Sequence, residues 1–153
     1  MKALSLTPVQ MEALNAIKDL AGQLGWKGEP QLVEGVLVYQ APLPTDPDIT
    51  GAFFAVDPDE LNVRLYLTLP FAVPESRRNE AHEFVVRSGY ARRFGALEFD
   101  GAHGTLRVRI DTDANEDAFA DAVLRLFDRA ISLAREVSPG WRALCKELQP
   151  EDR

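Results

Sequence analysis

Cysteine occurs once, at Cys145, so no disulfide can close within the chain and nothing argues for an oxidising compartment. Histidine occurs twice, at His82 and His103. With Cys145 these make no zinc-binding spacing, and no His-Glu-x-x-His is present. Also missing are a Gly-x-Ser-x-Gly elbow, a Walker loop and a Cys-x-x-Cys pair, the common signatures of nucleophilic, nucleotide and redox chemistry. No apolar run approaches the roughly 20 residues that cross a bilayer. The stretch from Met1 to Pro8 lacks the apolar core of a signal peptide, so the cytoplasm is the expected location, with no membrane partner. Positive charge is short as well: 17 Lys and Arg stand against 24 Asp and Glu, a net charge of −7. That balance argues against direct binding to nucleic acid or anionic lipid and favours a basic partner. These absences leave no catalytic residue, cofactor or metal to nominate, and the expectation is a protein that is not an enzyme.

What is present is a core. Of 153 residues, 46% are apolar and 27% charged, which fits one soluble domain spanning the whole chain, residues 1–153. Thr7-Pro8-Val9-Gln10 reads as a helix start, with Thr7 as N-cap and Gln10 as its capping-box partner. Met11, Leu14, Ile17, Leu20, Ala21 and Leu24 then form an apolar stripe, and Gly25 ends it with Trp26 folding back. Gly22, Gly25 and Gly28 follow a helix rather than a strand, the wrong order for a dinucleotide fingerprint.

Three strands are expected next: Leu32 to Gln40, Ala52 to Asp57, and Leu61 to Leu69, the last alternating strictly. The proline-bearing stretch Ala41 to Thr50 reads as a surface loop, and Asp57 to Glu60 as a turn, so antiparallel pairing is expected. Pro74 opens a middle helix whose inward face is Ala81, Phe84, Val85 and Ser88, with Gly89 as its stop. His82, Val86 and Tyr90 recur every fourth residue on the opposite side. Leu97 and Phe99, a turn beginning at Asp100-Gly101, then Leu106, Val108 and Ile110 make a hairpin. Asp113 and Glu116 form a capping-box pattern, and Phe119, Ala122, Val123, Leu126, Ala130, Leu133, Ala134 and Val137 lie on one helical face. Ser138-Pro139 repeats the cap-then-proline signal, so a separate short helix carrying Trp141, Leu144, Cys145 and Leu148 is expected. Blocks of strands and helices in the order α-βββ-α-ββ-α(α) indicate an α+β fold built on an antiparallel sheet. Leu65, Leu67, Leu106, Val108, Phe119, Val123 and Leu126 should be buried together.

Two stretches tempt a chemical reading. Asp111-Thr112-Asp113-Ala114-Asn115 opens like a calcium loop, but Glu116 stands where the turn glycine belongs and Ala122 where the last ligand belongs. A solvated helix start accounts for the acids better. Arg77, Arg78, Arg87, Arg92 and Arg93 cluster around the middle helix, with only Tyr90 and Phe94 as aromatic company. Solubilising or partner-facing arginine is the better reading there than a nucleic-acid patch. Cys145, on an apolar helix face, reads as a small core residue.

In the runs Leu67-Thr68-Leu69-Pro70-Phe71-Ala72-Val73-Pro74 and Phe94 to Asp111, each leading into a helix, the chain resembles the YbjN family. These are bacterial proteins described as sensory-transduction regulators, which share a fold with type III secretion chaperones. The resemblance implies a small, often dimeric α+β protein that binds other proteins, and it supplies no catalytic residue. His82, Val86, Tyr90 and Arg93 are the interface candidates. The expected function is a chaperone-like or adaptor protein acting as a homodimer on a basic protein client, such as a nucleic-acid-binding protein. The alternative is a small-ligand sensor or small enzyme with a pocket between sheet and helix.

Overall fold

The computed structural model describes residues 5–57, 59, 62–90, 95–113 and 119–146. Helix α1, Pro8–Leu24, starts as its sequence dictates. The Thr7 hydroxyl accepts from the Gln10 backbone N–H at 3.1 Å, and the Gln10 side chain accepts from the Thr7 N–H at 3.2 Å. Gly25 ends the helix in the left-handed region with φ 72°, and the Trp26 N–H reaches the Ala21 carbonyl. Gln10 is buried and donates to the Gly35 carbonyl at 2.8 Å, tying α1 to the first hairpin.

Strands β1 (Glu29–Val33), β2 (Val36–Pro42), β3 (Gly51–Asp57), β4 (Asn62–Thr68), β5 (Ala96–Asp100) and β6 (Thr105–Asp113) form one sheet ordered β1-β2-β3-β4-β6-β5. Every neighbouring pair is antiparallel. The α+β architecture is thus as expected, with one correction. The single first strand expected over Leu32 to Gln40 is a hairpin, β1 and β2, so four strands precede the middle helix. Its two-residue turn places Glu34 at φ 51° and Gly35 at φ 82°. Two positive φ values in succession suit a tight hairpin, but Glu is an unusual residue for the first of them, so the turn signal was weak.

A 3-10 turn at Glu75–Arg77 leads from Pro74 into helix α2, Arg78–Gly89. Helix α3 runs from Phe119 to Lys146. Asp113 is the last residue of β6, opposite Asn62, and its expected capping partner Glu116 lies outside the described residues. The break expected at Ser138-Pro139 is absent: α3 continues through Pro139. A proline inside a helix costs about 3 kcal/mol, because it removes a hydrogen bond and crowds the preceding turn. Against that, the buried stripe of Ala130, Ala134 and Val137 continues without a gap into Trp141 and Cys145. Burying a tryptophan of 150–250 Å² contributes on the order of 4–6 kcal/mol. Trp141 is 1% exposed, yet its indole N–H has no partner among the described residues, an omission that costs about 1–3 kcal/mol. Burial of Trp141 and Cys145 in the continuous helix thus offsets the cost of Pro139.

Helices α1 and α3 pack side by side on one face of the sheet, against Phe54, Leu65, Leu67, Leu106 and Val108. Leu65, Leu67, Leu106, Val108, Val123 and Leu126 are buried together as expected, with Arg107 and Arg109 facing the other way. The Phe119 side chain lies outside the described residues. No described element covers the second face of the sheet, where Phe53, Arg64, Tyr66, Thr68, Arg107 and Arg109 stand.

Candidate protein-binding surface

Helix α2 connects β4 to the far edge of the sheet and packs on β5 and α3. Its inward face is the expected one: Ala81 is buried, and Phe84, Val85 and Ser88 are half-buried. The Phe84 ring lies 5.8 Å from Trp141 of α3, and Phe99 of β5 lies 6.0 Å from the same indole. Arg78 extends its guanidinium 5.9 Å from the centre of Phe99 and donates to the Gly101 carbonyl at 2.8 Å. This helix is therefore seated on an aromatic cluster drawn from three elements.

Its other face is open. Val86 is 72% exposed and Tyr90 85% exposed. His82 is exposed too, but its ring meets Phe99 edge-on at 5.0 Å, so it forms the border between the seat and the free stripe. Arg87 pairs with Glu83 one turn away at 2.5 Å, a solvent-exposed ion pair that contributes little stability. Of the interface candidates, His82 and Val86 stand one turn apart on the exposed side of α2, and Tyr90 is the exposed residue that caps its end; Arg93, with Arg92 and Phe94, lies outside the described residues.

The residues singled out for chemistry are spread apart. Cys145 is buried, and burial raises its thiol pKa to about 11, which suits a core residue and disfavours a thiolate. His103 sits in the β5–β6 turn, where its Nδ1 is 2.7 Å from an Asp100 carboxylate oxygen. That bond and the turn N–H groups hold the Asp100 pKa below the usual carboxylate value. Asp111 and Asp113 lie on extended β6, opposite Arg64 and Asn62, rather than in a loop that could wrap a cation; Ala114 to Glu116 lie outside the described residues. Among the described residues no group of three or more His, Cys, Asp or Glu is placed to hold a metal ion, and no helix is long and apolar enough to cross a membrane.

Two polar arrangements were not foreseen. On the uncovered sheet face, Phe53 and Tyr66 lie 6.0 Å apart, and the Arg107 guanidinium sits 4.1 Å from the Tyr66 ring centre. Glu98 holds both Arg107, at 2.6 Å, and Arg109, at 3.4 Å. Hollows of about 510 and 540 Å³ flank this group and share Thr68 in their walls. Period-two alternation showed which side chains share this face, but their pairing depends on a strand register that alternation does not reveal.

The second arrangement corrects the reading of Ala41 to Thr50 as a simple surface loop. Pro42, Pro44 and Pro47 are exposed, but Leu43 and Ile49 turn into the core. Asp46 accepts from the backbone N–H groups of Asp48 and Ile49 and so folds the loop back on itself. Asp48 then accepts from the Ser138 hydroxyl at 2.8 Å and from Arg135 at 2.9 Å, while Arg142 donates to the Pro47 carbonyl. The Ser138 bond, followed by the two arginines, holds the Asp48 pKa below its ordinary value. Arg135, Ser138 and Arg142 share one helical face, a spacing visible in sequence; the partners some 90 residues upstream were not.

No family model and no curated protein matches the chain. Among solved structures it is similar to a chain of the ExsC-ExsE complex, at 13% identity over 82% of this chain and 92% of that one, with a TM-score of 0.37. A likeness of that size assigns neither family nor function.

Proposed function

We propose that this protein is a non-catalytic, homodimeric binding module that holds a basic protein client in the manner of a chaperone or adaptor. The observation that carries the reading is the outer side of α2, where Val86 and the capping residue Tyr90 are largely exposed beside His82 while the opposite side of the same helix is seated in the core. One exposed apolar residue is ordinary. An exposed Val aligned with Tyr, with arginines nearby in sequence, has the composition typical of interface centres. A two-fold axis across α2 would set identical stripes against each other and leave the acidic remainder of the surface free for the client. Val86→Asp is the test. Because Val86 is 72% exposed, the variant should keep its fold by circular dichroism while its light-scattering mass falls from dimer to monomer. A wild-type protein that is already monomeric at high concentration would remove the dimer.

A further inference from the structure

We propose that Ser138-Pro139 is a two-state joint within α3, held in its continuous form by Asp48, and that this joint controls whether α2 keeps its seat. Three independent features converge on it. First, Pro139 has no N–H to offer the preceding turn, so the helix lacks a rung there. Second, the Ser138 hydroxyl has two uses. Ser followed by Pro is a good start for a separate helix, with Ser as N-cap and Pro at the first position. In the structure that hydroxyl is instead committed to Asp48, and Ser138 is only 3% exposed. Third, the strap spans the joint: Arg135 precedes Pro139 and Arg142 follows it, and both reach the same short loop around Asp46, Pro47 and Asp48.

The α3 residues that help seat α2, beside Phe99 of β5, lie beyond the joint. A side chain at Gly140 would begin 2.8 Å from the Phe84 ring, so that ring rests directly on the helix backbone. Trp141 meets both Phe84 and Phe99, and Phe99 in turn supports His82 at the edge of the outer stripe. Loss of the strap would free Ser138 to cap a separate helix, let the segment beyond Pro139 turn independently, and remove the α3 side of the floor under α2, leaving its contact with β5. The joint stands on these contacts alone; its consequence for self-association rests on the dimer reading above.

Hydrogen exchange on the full chain tests the joint. In Asp48→Asn, which keeps the size of the side chain and removes its charge, amides of Gly140–Cys145 and of α2 should exchange about tenfold faster. Amides of β3 and β4 should keep their wild-type rates. Adding Pro139→Ala to that variant restores the missing rung and should return protection to both segments. Unchanged rates in Asp48→Asn, equal acceleration in every element, or no rescue by Pro139→Ala would each overturn the joint. Arg135→Gln, a milder cut of the same strap, should give the same pattern at smaller amplitude. Light scattering on the same samples reads the dimer separately: a monomeric wild type ends the dimer reading and leaves the exchange result to decide the joint.

Discussion

Gly104 shows what one position can demand. It closes the β5–β6 turn at φ 73°, its N–H donates to the Asp100 carbonyl at 2.7 Å, and a Cβ there would lie 2.6 Å from the Val73 carbonyl oxygen. Strain and collision add, so Gly104→Ala should lower unfolding stability by about 1–3 kcal/mol in urea titration. Substitution at exposed Gly101, where nothing lies within 4 Å, is the matched control. Leu106 makes the complementary case in the core: fully buried, its change to Ala should cost roughly 2–5 kcal/mol. Asp48 adds a pH signature. Its folded pKa is depressed below the ordinary 3.8, chiefly by the Ser138 hydroxyl. A depressed carboxylate contributes stability that is fully present above the unfolded pKa and is lost as pH falls through the folded one. The stability gap between wild type and Asp48→Asn should therefore be constant near neutrality and close as pH drops below about 3.8. A gap that stayed constant into acid would show that Asp48 acts by packing and not by charge. Of these residues, Leu106 was legible from alternation alone. Asp48 was not, because its meaning lies in partners that only the folded chain brings near.

At the scale of elements, legibility followed how local the cause was. Helix α1 was readable end to end because its signals, the Thr7–Gln10 box and the Gly25 stop, act within four residues of their targets. Thr7→Ala should cost about 1 kcal/mol, measured as a shift in the urea midpoint without a change in slope. Strand β4 and the β5–β6 hairpin were equally plain, since one buried face imposes strict alternation. The β1–β2 turn was missed because Glu34 carries a positive φ that local sequence gave no reason to expect. The break at Pro139 was expected on sound local grounds, and tertiary burial of Trp141 overrode it. The second miss marks a place where distant contacts outweigh local preference. The candidate surface divides the same way: helical spacing found the outer stripe of α2, whereas the Arg107–Tyr66–Glu98 group needed the strand register.

For the whole molecule the decisive quantity is charge. A net −7 is spread over exposed acids on several elements, among them Glu12 and Asp19 on α1, Glu29 and Glu34 on the first hairpin, and Asp121 and Asp128 on α3. The arginines of the second sheet face, by contrast, are partly neutralised by Glu98. Long-range attraction from such a surface raises the encounter rate of a basic protein and repels an acidic one. Exposed charges more than a Debye length apart, about 10 Å at 0.1 M salt, stop seeing each other as ionic strength rises. Binding of the proposed client should then weaken on the order of tenfold between about 50 and 300 mM salt, with most of the change in the association rate. Surface plasmon resonance of a purified client at several salt concentrations separates the two rates. The proposed α2 dimer, which Val86 and Tyr90 would hold, should change little over the same range, because apolar burial is not screened by salt. If the client's association rate proves independent of salt, its affinity comes from contact and not from steering, and the acidity of the surface serves solubility alone.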